Sequence, residues 1–253
     1  MKKNSPTVFA IIPARGGSKG VIKKNSKCFG GHPLIAYSII AAKLCPSIDR
    51  VIVSTDSVEI TEIAKRYGAE VPFLRPEAYA QDHSPDLDFI KHALDWFDRH
   101  EKNEPDFLVH LRPTTPLRDP ELLTEAIGRI KNCSEATSLR SVHELSEPPQ
   151  KMFAINGDFL AGLYPEDHRP EYYNLPRQTF SPVYHPNGYV DVIRSRFVRE
   201  SACLHGSRML AFVTSTAVEI DRPADFEYLE YLIEKHTHLL CVYLENHFSE
   251  RVL

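Results

Sequence analysis

Short apolar runs alternate with longer stretches of helical periodicity between residues 8 and 139. The runs have the length and β-branched content of buried strands and lie at 8–12, 50–54, 71–74, 107–111 and 134–139. Between them, apolar residues spaced three or four positions apart predict helices over 33–44, 57–67, 84–97 and 119–130. This alternation predicts an α/β fold with a doubly wound, mostly parallel sheet.

The pattern changes between residues 143 and 184, where repeated prolines end the alternation. The aromatic residues of this segment are too numerous for a free linker and predict a surface that packs on something: Phe153, Phe159, Tyr164, Tyr172, Tyr173, Phe180 and Tyr184. Two interpretations stay open, an arm that reaches another surface or a loop folded back on its own domain. The strand pattern returns at 188–193, at 209–213 and at 219–221, and helices follow from Pro223 and beyond His236.

Composition limits the class of protein. A chain of 253 residues suits a single domain over 1–253, with 143–184 as an inserted excursion. The net charge of −4 provides no global basic field, so nucleic acid is not an expected partner. The five cysteines include no Cys-x-x-Cys pair, which argues against a zinc site or a disulfide framework. No apolar run has the length of a membrane span, so we expect a cytoplasmic protein without a membrane partner.

The turn after the first strand has the composition of an anion-binding loop. Pro13 ends the strand, and Gly16, Gly17 and Gly20 allow a tight turn whose backbone N–H groups can face an anion. Cationic side chains follow closely at Arg15, Lys19, Lys23 and Lys24. We therefore predict a phosphate cradle over 11–25, the alternative being a solvated surface turn. Four polar segments follow the carboxyl ends of predicted strands: the cradle, 54–56, Arg75 and 112–118. In a doubly wound sheet they should meet in one crevice.

The sequence Pro-Ala-Arg-Gly-Gly-Ser-Lys-Gly at 13–20, continued by Lys24 and Asn25, resembles the cytidylyltransferases that activate sialic acid and related nonulosonic acids. The similarity extends through 54–56, 74–76, 111–118, 187–188 and 219–221. The resemblance implies a nucleotide-diphospho-sugar transferase-like fold and a reaction of CTP with a 2-keto sugar acid to give the CMP-sugar and pyrophosphate. It also implies that 143–184 is a dimerisation arm and that the protein is a homodimer.

The resemblance also assigns site residues. The nucleotide would be bound by Ala14, Arg15, Gly16, Gly17, Ser18, Lys19, Gly20, Lys24, Asn25 and Arg75, the last two toward the base. The catalytic residues would be Arg15, Lys19, Lys24 and Asp221. The sugar acid would be bound by Arg112, Thr114, Arg177, His185 and Asn187.

A divalent ion, Mg²⁺ or Mn²⁺, is expected because phosphoryl chemistry needs charge neutralisation and hard cations prefer oxygen ligands. The family usually has Asp-Ile-Asp where this chain has Glu219, Ile220 and Asp221. We predict Asp221 as the metal ligand, with Glu219 as a second carboxylate on the same face of an extended segment. The alternative is that Asp221 only caps the helix beginning at Pro223.

Two positions depart from the family pattern. Arg112 replaces a glutamine that reads the sugar, and His185 replaces an arginine before Pro-Asn-Gly. A guanidinium offers only donors, so the exchange predicts an acceptor or a pose unlike common sialic acid. The alternative is that Arg112 points away and pairs with Asp82 or Asp86.

Two other functions remain as alternatives. One is the same transfer to the shorter acid 3-deoxy-manno-octulosonate, whose transferases share the fold. The other is a non-catalytic module that binds nucleotide sugars, since a fold alone does not certify activity. The sequence does not choose among sialic, legionaminic, pseudaminic and related acids.

Overall fold

A computed structural model of the chain describes residues 5–17 and 20–248. The strands in chain order are β1 (Val8–Pro13), β2 (Cys28–Phe29), β3 (His32–Pro33), β4 (Arg50–Ser54), β5 (Phe107–His110), β6 (Ser138–Glu144), β7 (Phe153–Asn156), β8 (Phe159–Gly162), β9 (Tyr184–Arg194) and β10 (Met209–Val213). The helices are α1 (Leu34–Leu44), α2 (Val58–Arg66), α3 (Asp86–Trp96), α4 (Pro120–Lys131), α5 (Ser195–Ser201), α6 (Pro223–Lys235) and α7 (Leu239–His247).

Six strands form the central sheet in the order β10-β6-β9-β5-β1-β4. The pairs β1–β4, β1–β5 and β6–β10 are parallel, whereas β9 runs antiparallel to both β5 and β6. The predicted α/β class with a mostly parallel sheet is therefore confirmed. Because β9 is reversed, its first residues lie at the edge where β5 and β6 end. This places the bulge of β9 around Gly188, where its pairing with β6 shifts register, beside the segment that follows β5.

Helices cover both faces of the sheet. Alternate residues of β1 point to opposite sides, as the pleat requires. Val8, Ala10 and Ile12 enter one buried cluster, which includes α1, α4 and α7. Phe9 and Ile11 enter a second cluster on the other face, built largely from α3. The crossover topology thus leaves the carboxyl ends of β1, β4 and β5 together at one edge of a rigid core.

Three predicted strands differ in the structure. Residues 71–74 form no strand; Leu74 makes an isolated bridge with Thr55, and Glu70, just before this run, makes one with Ile52. The strand predicted at 134–139 begins at Ser138 and continues to Glu144, because 133–136 is a turn closed by the Ala136 N–H on the Cys133 carbonyl. Residues 219–221 join no ladder, although the Ile220 N–H bonds to the Thr114 carbonyl. A short apolar run becomes a strand only where a neighbouring strand is in register with it.

The segment 143–184 leaves and rejoins the sheet at adjacent strand ends, since Glu144 on β6 pairs with Tyr184 on β9. It contains the hairpin β7–β8, on which Ile155 and Phe159 are each 79% exposed. Aromatic contacts within the segment join Phe153 to Tyr173, so part of its apolar surface is packed internally. The exposed hairpin retains the unpartnered apolar surface on which the prediction of a dimerisation arm depends, and that role stays a prediction.

Among the described residues, no helix combines the length and the apolar character needed to cross a membrane.

Candidate functional site

A cleft of about 270 Å³ opens at the carboxyl edge of the sheet, where β1 and β5 end. Its lining residues come from widely separated parts of the chain: Pro13, Arg15, Lys24, Asn25, Arg75, Tyr79, Gln81, Asp82, Ser84, Asp86, Phe89, Arg112, Pro113 and Thr114. The predicted crevice is thus present, and it contains Arg15, Lys24, Asn25, Arg75, Arg112 and Thr114 among the predicted site residues.

The loop after β1 is held by contacts on both sides. The Ala14 N–H donates to the Ser54 carbonyl at 2.9 Å, and the Asn25 amide donates to the Arg15 carbonyl at 3.0 Å. The Gly16 N–H donates to a carboxylate oxygen of Asp56 at 2.8 Å, so this glycine does not offer its N–H to the cleft as predicted. The predicted nucleotide ligands Ser18 and Lys19 lie outside the described residues.

Gly20 brings this loop against the segment 219–221. A Cβ atom at Gly20 would lie 2.6 Å from the Asp221 carbonyl oxygen, whereas one at Gly17 would have nothing within 4 Å. The Lys24 ammonium donates to the Ile220 carbonyl at 2.6 Å and lies 3.2 Å from the Asp221 carboxylate. The cradle and the predicted metal ligand are therefore parts of one site, although they are almost 200 residues apart.

The cations of the loop point in different directions. Arg15 pairs with Asp82 across the cleft at 2.7 Å. Lys23 instead reaches the exposed Glu59 at 2.8 Å and does not line the cleft. Arg15 and Lys24 are thus the described cations of this loop that are available to a bound anion.

Arg75 is buried at the floor of the cleft. Its guanidinium donates to the Ser54 hydroxyl at 3.0 Å and to the Ser54 carbonyl at 2.5 Å, and it stacks over the Phe89 ring at 4.8 Å. Burial lowers the pKa of Arg75 to about 10, which keeps it charged at neutral pH. Arg75 is therefore not an ordinary surface charge.

Arg112 lines the cleft and pairs with two carboxylates. Its guanidinium donates to Asp86 at 2.7 Å, the partner that the alternative interpretation named, and to Asp191 at 2.9 Å. The pairing does not turn the side chain away, because Arg112 still borders the cleft. Asp191 was not identified from sequence, although an acidic residue between Val190 and Val192 of an apolar strand segment was an available signal.

Arg118 is a second residue whose part in the site sequence reasoning missed. It is fully buried and donates to the carbonyls of Tyr189, Gly188 and Arg112 and to the Ser38 hydroxyl. Burial lowers the pKa of Arg118 to about 9. The side chain connects the segment after β5 to residues 188–189 of β9 by hydrogen bonds. Its place at the end of the motif 111–118 was the sequence signal that could have identified it.

Asp221 presents its carboxylate at the mouth of the site with 70% of the side chain exposed. It does not cap α6. The carboxylate of Asp225 accepts from the N–H groups of Asp221 and Arg222 at 2.8 and 2.7 Å, so it satisfies the start of that helix. Glu219 accepts from the Thr114 hydroxyl at 3.3 Å. The alternative of Asp221 as a cap is therefore not supported.

The residues fit a magnesium ion that is bound together with a nucleotide. Within the described part of the chain, no group of three or more His, Cys, Asp or Glu side chains forms a metal cluster. Mg²⁺ in nucleotide sites is usually held by one or two carboxylates together with phosphate oxygens and water. Asp221 can provide such a carboxylate because it is exposed and close to the cradle.

The predicted sugar ligands are only partly brought together. Arg112 and Thr114 line the cleft, but Arg177, His185 and Asn187 do not. Arg177 donates to the Ser146 carbonyl within the arm, and His185 lies opposite His143 at the base of the arm. Asn187 is buried, and its amide donates to the Thr214 hydroxyl at 2.7 Å. The contact of Asn187 therefore connects β9 to the residue that follows β10 in the same chain.

Comparison with known proteins places these features in a family. The sequence model of the family described as Cytidylyltransferase matches residues 9–247. An N-acylneuraminate cytidylyltransferase of Escherichia coli is 32% identical over 87% of this chain, which spans 50% of that relative's length. A CMP-N,N'-diacetyllegionaminic acid synthase of Legionella pneumophila is 31% identical, with 90% of this chain and 96% of the relative covered. A pseudaminic acid cytidylyltransferase of Campylobacter jejuni is 29% identical over 88% of this chain and 95% of the relative.

Solved structures agree at the level of the fold. A CMP:2-keto-3-deoxy-manno-octonic acid synthetase complexed with CTP superposes with a TM-score of 0.68 at 16% identity, over 90% of this chain and 99% of the other. A cytidylyltransferase of Leptospira borgpetersenii gives a TM-score of 0.60 at 17% identity, over 97% of this chain and 96% of the other. The resemblance of the sequence is confirmed, and the chain belongs to the cytidylyltransferase family.

Proposed function

We propose that this protein transfers a cytidylyl group from CTP to a nonulosonic acid of the sialic type. The anomeric hydroxyl oxygen of the sugar acid bonds to the α-phosphorus, the bond from that phosphorus to the bridging oxygen breaks, and pyrophosphate leaves. The hydroxyl proton passes to solvent water. The observation that carries the proposal is the meeting of Arg15, Lys24 and Arg75 in one cleft, with the Asp221 carboxylate 3.2 Å from Lys24, in a chain whose relatives are named for this chemistry.

Arg15 and Lys24 have the positions needed to neutralise a triphosphate. Both line the cleft beside the glycine turn, and positive charge there stabilises the negative charge that develops on the departing pyrophosphate. Arg15 pairs with Asp82 at 2.7 Å, so binding of CTP would exchange a carboxylate for a phosphate at this guanidinium. Asn25 and Arg75 would lie toward the base, where the buried guanidinium offers a fixed charge and rigid donors.

Mg²⁺ or Mn²⁺ would be held by Asp221, with Glu219 as a second carboxylate, and would supply charge neutralisation on the phosphates. Gly188 sets the position of Glu219. Its φ of +63° is a conformation that glycine adopts at low cost, and a Cβ there would lie 2.9 Å from a Glu219 carboxylate oxygen. The Thr114 hydroxyl donates to one carboxylate oxygen of Glu219, and the other oxygen of Glu219 takes no part in that hydrogen bond.

The protein would act as a cytoplasmic homodimer, with 143–184 as the dimerisation arm. The exposed apolar side chains of Ile155, Phe159 and Leu160 on the hairpin supply a surface that a second copy can cover. Arg177 and His185 lie on or beside this arm and do not line the cleft of their own chain. A contribution of these two residues to sugar binding therefore requires that the arm reach the cleft of the other copy.

The two alternative functions have weaker support. The likeness to the 2-keto-3-deoxy-manno-octonic acid synthetase is at 16% identity and concerns the fold alone, whereas the relatives above 30% are named for nonulosonic acids. A binding module without catalysis would not need an exposed carboxylate beside the phosphate cradle, which Asp221 provides.

The test is an incubation of the full chain with CTP, Mg²⁺ and a panel of 2-keto sugar acids, with pyrophosphate release and the CMP-sugar both measured. We expect turnover with at least one nonulosonic acid and its loss when Mg²⁺ is chelated. The matched control is Lys23→Ala, which removes a loop cation that does not line the cleft, compared with Lys24→Ala, which removes one that does. Release of pyrophosphate only with the eight-carbon acid would favour transfer to 3-deoxy-manno-octulosonate. CTP binding without turnover on any acid would favour a non-catalytic binding module.

A further inference from the structure

A network of charged side chains lies behind the part of the cleft wall that Arg112 forms. Arg112 leaves the end of β5 and is held by Asp86 from the first turn of α3 and by Asp191 from the middle of β9. Asp191 is 1% exposed, and its second carboxylate oxygen lies 3.4 Å from the Arg140 guanidinium on β6. Three separate elements therefore determine the orientation of one side chain that borders the cleft.

The sheet register builds this network. Asp191 pairs with His110 on β5 and with Arg140 on β6, because β9 lies between those two strands and runs against both. His110 is 1% exposed, and neither of its ring nitrogens has a hydrogen-bond partner among the described residues. Its Nδ1 lies 3.8 Å from the Asp191 carboxylate, and its ring packs edge-on against Phe89. His110 thus reports on the charges around Asp191.

The charges of the network balance. Asp86 and Asp191 carry two negative charges, and Arg112 and Arg140 carry two positive charges. The charge of Arg112 is therefore offset inside the protein and is not free to pair with the carboxylate of a substrate. The two bonds use two of the five N–H groups of the guanidinium, and the 21% exposed fraction of the side chain faces the cleft.

We propose that Asp191 and Asp86 are positioning residues that hold Arg112 as a rigid hydrogen-bond donor, so that the cleft selects acceptors presenting a neutral oxygen at that point. The chemical class is a sugar acid with an acylamino carbonyl or hydroxyl oxygen facing Arg112. The same acid with a free amine there is rejected, since an ammonium group and a guanidinium both offer only donors and leave each other without a hydrogen-bond acceptor. This inference rests on the proposed function and adds the substrate class that the site accepts.

The first test is a cycle of variants assayed with two 2-keto sugar acids that differ only in an acylamino or a free amino group. The variants are Asp191→Asn, Arg112→Gln and the two combined. For Asp191→Asn we expect kcat/KM for the acylamino acid to fall about tenfold or more, with KM for CTP unchanged. The preference for the acylamino acid should weaken in the same variant.

The cycle distinguishes positioning from a general structural effect. If Asp191 acts through Arg112, the combined variant should be no slower than Arg112→Gln alone. Additive losses would overturn the proposal, as would an unchanged preference between the two acids in Arg112→Gln. The matched control is Asp95→Asn, which breaks an exposed pair with Arg199 on the same helix as Asp86, away from the cleft. It should leave both the rate and the preference unchanged.

A second measurement needs no turnover and remains informative if Asp191→Asn fails to fold. Burial, followed by the positive charge of Arg112, holds the pKa of His110 well below its ordinary value, whereas Asp191 raises it and the more distant Arg118 and His205 lower it. In Arg112→Gln the pKa of His110, followed by NMR, should rise because one cation is lost and Asp191 remains. An unchanged titration of His110 would show that the network is not formed.

The two proposals fail in different ways. If no sugar acid is turned over by the unmodified protein, the proposed function fails, and the titration of His110 still tests the network. If turnover is present but the cycle is additive, only the positioning role of Asp191 fails.

Discussion

Gly20 is the position where one added methyl group should disturb the site most selectively. In Gly20→Ala the new Cβ would lie 2.6 Å from the Asp221 carbonyl oxygen, whereas ordinary contacts begin at 3.4 Å. Relief of the clash requires the cradle and the segment 219–221 to separate by the difference, about 0.8 Å. Overpacking of this kind costs about 1–3 kcal/mol, and a domain of this size loses roughly 2–4 °C in Tm for each kcal/mol.

The same displacement should affect catalysis. It moves the Asp221 carboxylate away from the cradle and stretches the 2.6 Å bond from Lys24 to the Ile220 carbonyl. A misplacement near 1 Å can lower turnover about 100-fold, so kcat/KM for CTP should fall by about 10- to 100-fold. Thermal unfolding and steady-state pyrophosphate release measure the two effects.

Two alanine variants serve as controls. Gly17→Ala lies in the same loop with nothing within 4 Å of the new Cβ, so its Tm should equal that of the parent within about 1 °C. Gly128→Ala lies in α4, also without a close neighbour, and controls for activity. If Gly20→Ala matched Gly17→Ala in Tm and Gly128→Ala in kcat/KM, the close packing of the cradle on 219–221 would be refuted.

The remaining predictions concern the cradle, the metal site and the arm. Arg15→Ala should lower kcat about 100-fold or more. The free energy of unfolding should change by at most about 1 kcal/mol, since the pair of Arg15 with Asp82 is partly exposed, and a well-folded variant with full turnover would contradict the prediction. In magnesium titrations, Asp221→Asn should impair activity far more than Glu219→Gln, and the reverse order would exchange the two ligand roles. Light scattering should show a dimer for the parent and a monomer for Ile155→Asp; a parent that is monomeric at every concentration would remove the arm's proposed role.

The most accurate predictions include both short strands and long helices. The bounds of β4 and β10 are as predicted, and those of β1, α1 and α4 differ from the prediction by one residue, because each has a clear apolar pattern bounded by turn or cap residues. The misplaced strands at 71–74, 134–139 and 219–221 are short runs. Whether such a run pairs depends on a neighbouring strand that is distant in sequence.

The candidate site was likewise predicted only in part. The convergence of the cradle, Arg75 and 112–118 followed from strand order alone, since loops at the carboxyl ends of parallel strands share one edge. The hydrogen-bond and ion-pair partners of these residues could not be predicted from strand order. The roles of Asp191 and Arg118 depend on β9 entering the sheet in reverse between β5 and β6, and the residue pattern of a strand does not state the direction in which it joins its neighbours.

The sequence by itself determined the fold class and the family and predicted the phosphate cradle, because periodicity, glycine spacing and an ordered set of motifs are local properties of the chain. Only the tertiary structure decided which charges face the cleft. Arg15 and Lys24 face it while Lys23 turns to Glu59, and Arg112 is neutralised by Asp86 and Asp191. The physical reason is that the effective charge of a side chain depends on its burial and its partners, and both are set by strands and helices brought together from distant parts of the chain.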